Sequence, residues 1–64
     1  MNNKEKYEGK IINIYAPFGG RKLDVLNVES VEGKNLDILY GTSELRGIET
    51  GYCLSDGIRI EIIE

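Results

Sequence analysis

Apolar and polar residues alternate along most of this chain in runs of strand length, and glycines stand where the alternation stops. Within the segment Tyr7 to Ala16, the run Lys10-Ile11-Ile12-Asn13-Ile14-Tyr15 sets Ile12, Ile14 and Ala16 on one face and Ile11, Asn13 and Tyr15 on the other. The face with Ile12 and Ile14 is the expected core side. Pro17-Phe18-Gly19-Gly20 breaks the ladder, because proline has no N–H to donate and the glycines permit a turn, and Arg21 begins the returning strand. From Lys22 to Ser30 the apolar positions change phase, with Leu23 and Val25 first and Leu26 and Val28 afterwards, which requires a β-bulge or a strongly coiled strand. After the turn Glu32-Gly33-Lys34, Leu36, Ile38 and Tyr40 share one face, with Asp37 opposite and Leu39 out of pattern. Strands 1 to 3 are therefore expected to form a meander.

The stretch from Gly41 to Gly47 carries Thr42 and Ser43 as capping hydroxyls ahead of Glu44 and Leu45, with room for one short helical turn near residues 42–47 or for a loop. Ile48 to Leu54 reads as a weak fourth strand interrupted by Gly51. Ser55-Asp56-Gly57 has the composition of a hairpin turn, and Ile58, Ile60 and Ile62 form the apolar face of a last strand, alternating with Arg59, Glu61 and Ile63. Residues 1–6 are polar and expected to be a flexible tail before a single domain over residues 7–64. Nine isoleucines, three valines and five aromatics against one alanine suit pleated strands better than helices, so the expected fold class is all-β. A chain of 64 residues buries only about 60% of the surface it exposes when unfolded, which leaves a small core and excludes large two-domain chemistry.

Five short strands, each with one apolar face to cover, are expected to curl into a small barrel. An SH3-like barrel places its helical turn between the fourth and fifth strands, whereas the irregular piece of this sequence lies between the third and fourth, which is the order of the OB-fold. The stretch Glu8 to Gly20 resembles the opening strand and turn of S1-like OB domains. Leu54-Ser55-Asp56-Gly57-Ile58-Arg59-Ile60-Glu61-Ile62 is similar to the Gly-Asp-hydrophobic ending of such barrels, with the Gly-Asp order reversed. The resemblance covers about a third of the chain and implies an OB-like five-stranded barrel, with the SH3-like barrel as the alternative.

Charge changes the picture in one place. The net charge is −3, yet Lys4, Lys6, Lys10, Arg21 and Lys22 outnumber Glu5 and Glu8 in the first 22 residues, while nine acids outnumber Lys34, Arg46 and Arg59 in the rest. One basic patch on an acidic body is the expected result, with ordinary solvated charge as the alternative. The absence of histidine removes Ser-His and Cys-His nucleophile pairs, so no enzymatic activity is expected. Asp24, Asp37, Glu29 and Glu32 lack the spacing of a calcium loop and are expected at the surface. Cys53 has no partner for a disulfide and reads as a buried or semi-buried structural thiol, Gly19-Gly20-Arg21-Lys22 lacks the phosphate-loop spacing, and no metal or cofactor is expected. No apolar run approaches the roughly 18 residues of a membrane span, and no leader-like stretch follows the first charges, so a cytoplasmic protein without membrane association is expected.

The constellation with functional content is Tyr15, Phe18, Arg21 and Lys22 around the first turn, joined by Lys10, Tyr40 and Arg46. Aromatic rings beside cations suit single-stranded or structured nucleic acid, the rings stacking on bases and the cations meeting phosphate. The competing explanation is that the rings cap the end of a barrel too small to cover itself. Three functions follow: a non-catalytic nucleic-acid binding module, a small acidic interaction or inhibitor protein of phage or mobile-element type that binds a partner protein, and a structural subunit forming homo-oligomers through edge strands.

Overall fold

The computed structural model describes residues 2–64, and its main feature is one antiparallel five-stranded sheet. The strands are β1 (Ile11–Tyr15), β2 (Lys22–Glu32), β3 (Ile38–Ser43), β4 (Glu49–Cys53) and β5 (Arg59–Ile62). A helix, α1 (Asn3–Tyr7), precedes them, and a 3-10 turn at Leu54–Asp56 joins β4 to β5. The expected meander of the first three strands is present and continues into β4, while β5 returns to the free side of β1.

The core consists of Tyr7, Ile12, Ile14, Leu26, Val28, Val31 and Leu39, with Leu36, Tyr52, Leu54, Ile58 and Ile60 packed against it. Burying each large apolar side chain contributes about 1.5–3 kcal/mol, so a core of this size leaves little excess over the cost of ordering the chain. Ile12 and Ile14 point inward as the alternation of β1 requires, and Ile60 and Ile62 lie opposite them on β5. Ile62 is at the margin, 42% exposed.

Strand β2 has two register shifts. The pairing passes from Ile14↔Asp24 to Tyr15↔Lys22, leaving Leu23 as the extra residue, and from Val28↔Gly41 to Ser30↔Tyr40, leaving Glu29. The expected change of phase therefore occurs at Leu23 and Glu29 rather than between Val25 and Leu26. The inward set becomes Asp24, Leu26, Val28 and Val31, and Leu23 is exposed. Asp24, expected at the surface, is completely buried.

Strand β3 corrects a second expectation. Leu39, Gly41 and Ser43 face the core, whereas Tyr40 is exposed and Ile38 only half-buried, so the residue that broke the apparent pattern is the core residue. The bulge at Glu29 brings the β2 backbone so close to β3 that a Cβ at Gly41 would overlap the Asn27 carbonyl oxygen. Thr42 and Ser43 belong to β3, and residues 44–46 form a plain turn, the loop alternative to the short helical turn. The helical turn falls at Leu54–Asp56 instead, with Gly57 at φ +81° ending it. Because β4 and β5 occupy opposite edges of the sheet, Ser55-Asp56-Gly57 is a crossing connection and not a hairpin.

The opening segment is tied to the sheet. The Asn2 side chain accepts a hydrogen bond from the Glu5 N–H at 2.9 Å, and Asn2 N–H donates to Glu5 Oε1 at 3.3 Å, a reciprocal cap that allows so short a helix. Tyr7 is buried, Gly9 N–H donates to the Val28 carbonyl, and Glu8 accepts from Val31 N–H and from Lys4 Nζ. The Asn3 amide reaches the Leu36 carbonyl at 2.9 Å.

Candidate functional site

The turn between β1 and β2 is built by Pro17, Phe18, Gly19 and Gly20, with the Ala16 N–H donating to the Arg21 carbonyl at 2.8 Å across its base. Gly19 and Gly20 both have positive φ, +80° and +65°, which side chains with a Cβ adopt only at a cost. This lifts Phe18 clear of the sheet, and the ring is 88% exposed. Arg21 and Lys22 follow, both exposed.

Register then assembles what the turn alone does not. Tyr15 lies opposite Lys22 on β2 and opposite Arg59 on β5, and directly opposed residues share a face of the sheet. A row Arg59, Tyr15, Lys22 therefore crosses three strands on the face away from the core, next to the turn that carries Phe18 and Arg21. One step along, Asn13 is flanked by Val25 and Glu61. Glu61 Oε1 accepts from the Asn13 amide at 2.9 Å and from the Tyr15 hydroxyl at 3.2 Å. A cavity of about 320 Å³, open to solvent, is lined by Tyr15, Gly20, Arg59, Ile60 and Glu61.

The titration of these groups follows from that geometry. Partial desolvation raises the Tyr15 pKa, and the hydrogen bond and charge of Glu61 raise it further, so Tyr15 stays protonated and donates. The Asn13 hydrogen bond lowers the Glu61 pKa, with Tyr15 and the charge of Lys22 adding to it, so Glu61 stays ionised. Asn13 Oδ1 is buried without a partner, an unfavourable placement that accompanies the amide's bond to Glu61.

Of the seven residues singled out in the sequence, four come together here: Tyr15, Phe18, Arg21 and Lys22. Lys10 sits before the opposite end of β1, and Tyr40 lies on β3, opposite Ser30 at the far end of β2, with its ring packed over Gly51. Arg46 belongs to a different group. Arg59 is the residue the sequence reading left out of the patch. Its place on the polar side of the last strand was visible, but its neighbours depend on β5 pairing with β1.

The second group surrounds the buried Asp24. Its Oδ1 accepts from the Ser43 hydroxyl and the Val25 N–H, both at 2.7 Å, and its Oδ2 accepts from the Tyr52 hydroxyl at 2.6 Å and from Arg46 Nη2 at 3.5 Å. Arg46 also donates to the Tyr52 hydroxyl oxygen and to Thr50 Oγ1, and its backbone N–H donates to Ser43 Oγ. Burial pushes the Asp24 carboxyl up, but the bonds from Tyr52, Ser43 and Val25 and the charge of Arg46 outweigh it and hold the pKa below the usual value. Tyr52 is raised by burial and by donating to that carboxylate. Every oxygen of Asp24 is occupied from within the fold, so this cluster orders β2, β3 and β4 and has no acceptor left for a ligand.

Cys53 is a half-buried free thiol whose sulfur lies 2.8 Å from Ser55 Oγ. Among the described residues no helix is long and apolar enough to cross a membrane. No protein family, curated protein or solved structure matches this chain. The chemistry on offer at the turn is three cations, two aromatic rings and one carboxylate.

Proposed function

We propose that this protein is a non-catalytic binding module that holds single-stranded nucleic acid across the face beside the β1–β2 turn. The observation that carries the reading is the cross-strand row of Arg59, Tyr15 and Lys22 next to the 88% exposed Phe18. Arg21, Lys22 and Arg59 meet phosphates, and Phe18 offers a whole ring to an unpaired base, a contact worth about 1–3 kcal/mol per base. Tyr15 places a second ring in the same row, with its hydroxyl held by Glu61. The free oxygen of Glu61 accepts from a base amino group.

The framework we favour is SH3-like in strand order, although the sheet is open, with β4 and β5 at its two edges. A meander of four strands, a fifth strand returned to the first, and the helical turn placed between β4 and β5 favour it over the OB-like order. A second reading, a protein partner at the acidic β3–β4 turn, is favoured by Leu45 and Ile48, 63% and 52% exposed between Glu44 and Glu49.

Fluorescence anisotropy of a labelled single-stranded oligonucleotide, followed over about 50–200 mM salt, tests the proposal. Binding that weakens with salt and is lost in the double variant Arg21→Glu, Phe18→Ala supports it. No binding at the low-salt end, or binding indifferent to that variant, overturns it and leaves the protein-partner reading.

A further inference from the structure

Strand β5 ends the sheet on one side, and among the described residues nothing in the strand order pairs with its outer edge. Which of its backbone groups are free follows from the ladder. Ile63 N–H donates to the Ile11 carbonyl at 2.8 Å and the Ile11 N–H to the Glu64 carbonyl, while the Lys10 carbonyl accepts from Val28 on the other side, so the odd-numbered residues of β1 turn their backbone groups toward β5 and Asn13↔Glu61 and Tyr15↔Arg59 are the hydrogen-bonded pairs. The N–H and C=O groups of Ile60 and Ile62 therefore point away from β1, as an unpaired template for another strand. On the inward face the same stretch carries Ile58, Ile60 and Ile62, and on the outward face Arg59 and Glu61.

That edge is complementary to itself in one register. Two antiparallel copies can pair through their even-numbered residues only, because those carry the free groups. A two-fold axis through Arg59 or through Glu61 sets two like charges directly opposite each other, which is destabilising. An axis through Ile62 leaves Glu61 facing Ile63. An axis through Ile60 sets Arg59 of each copy opposite Glu61 of the other, Ile60 opposite Ile60, and Ile58 opposite Ile62. The same register covers Ile62, which the monomer leaves 42% exposed. It also uses the Glu61 oxygen that neither Asn13 nor Tyr15 occupies. Strand β4, at the other edge, reads Glu49-Thr50-Gly51-Tyr52-Cys53 and has an acid with no cation to match it. The contact through β5 is isologous, so it closes at two copies and does not propagate.

We propose that the partner of the β5 edge is a second copy of this chain, joined antiparallel about Ile60 into a ten-stranded sheet, with Arg59 and Glu61 setting the register. Dimerisation rests on the free strand edge and not on the nucleic-acid reading, but the two contacts share Arg59 and the free oxygen of Glu61 and therefore compete for them. A single strand pair is a small interface, so the association belongs to the weak class and forms at high micromolar concentration.

The test is mass by analytical ultracentrifugation over the micromolar to millimolar range, without nucleic acid. The wild type is expected to move from 7.2 kDa toward twice that mass. Ile62→Pro removes one outward N–H while leaving the bonds to β1 in place, and is expected to stay monomeric with an unchanged circular dichroism spectrum. Arg59→Glu and Glu61→Arg each place like charges together and are each expected to be monomeric alone. Mixed, they restore both opposite-charge pairs and are expected to form a heterodimer. A wild type that remains at 7.2 kDa throughout overturns the proposal. So does a dimer that persists in Ile62→Pro, or one whose charge variants fail to pair on mixing.

Discussion

The molecule contains two groupings of an arginine, a tyrosine and a carboxylate, and they differ in depth. Around Asp24, the Tyr52 hydroxyl donates at 2.6 Å and Arg46 covers a carboxylate that water does not reach. Around Glu61, the Tyr15 hydroxyl donates at 3.2 Å and Arg59 stands free in solvent. A buried carboxylate must be fully satisfied by the fold, because desolvating it unpaired is costly, and once satisfied it has no capacity for a ligand. An exposed one loses little by exchanging water for a partner. The same residue types thus serve structure in one place and are available for recognition in the other.

The sharpest way to break this comparison is to remove each acid. Asp24→Ala leaves two hydroxyls and an N–H unpaired and is expected to cost about 2–4 kcal/mol by urea denaturation. That is a large part of a stability that scales to about 3–10 kcal/mol for a domain of this length. Glu61→Ala is expected to cost less, about 0.5–1.5 kcal/mol, because it leaves only the part-buried Asn13 amide unpaired. An equal loss in both variants would erase the distinction.

Acid should separate them next. Folded Asp24 binds its proton less tightly than the unfolded chain does, so the unfolded state takes up more protons and stability rises with pH through the carboxyl range. The contribution is complete above the unfolded value of about 3.9 and is lost as the pH falls through the lower folded value. Melting temperatures between pH 2 and 6 should drop on the acid side, and Asp24→Asn should flatten that drop more than Glu61→Gln, whose carboxyl is also held below its usual value but is exposed.

The tyrosines give a smaller contrast. Tyr52→Phe removes a bond to a charged acceptor and is expected to cost about 1.5–3 kcal/mol. Tyr15→Phe keeps the ring and should change neither stability nor oligonucleotide affinity, whereas Tyr15→Ala should weaken binding about tenfold. The arginines give the smallest. Arg59→Ala should reduce the slope of log affinity against log salt by about 1, and Arg46→Ala should leave that slope alone.

What could be seen in the sequence divides along the same line. The first strand, its turn and the outward placement of Tyr15 and Phe18 follow from local alternation and from Pro17 and the paired glycines, so they were legible. The burial of Asp24 was not, because it depends on Leu23 becoming an extra residue opposite β1, and a bulge is fixed by the partner strand. Leu39 was misplaced for a similar reason. Its neighbours Ile38 and Tyr40 are apolar too, and only pairing with Val31 and Tyr52 decides which face is dry. Arg46 and Arg59 look alike in sequence, and only the tertiary fold sends one to Asp24 and the other to the side of Tyr15.

The most direct test of the assignment of roles is a titration of the isotopically labelled protein with a single-stranded oligonucleotide, followed by backbone amide shifts. Shifts confined to Tyr15, Phe18–Lys22 and Arg59, with Arg46 and Tyr52 still, are the expected result. Shifts centred on Arg46 and Tyr52, or none at all, would contradict it.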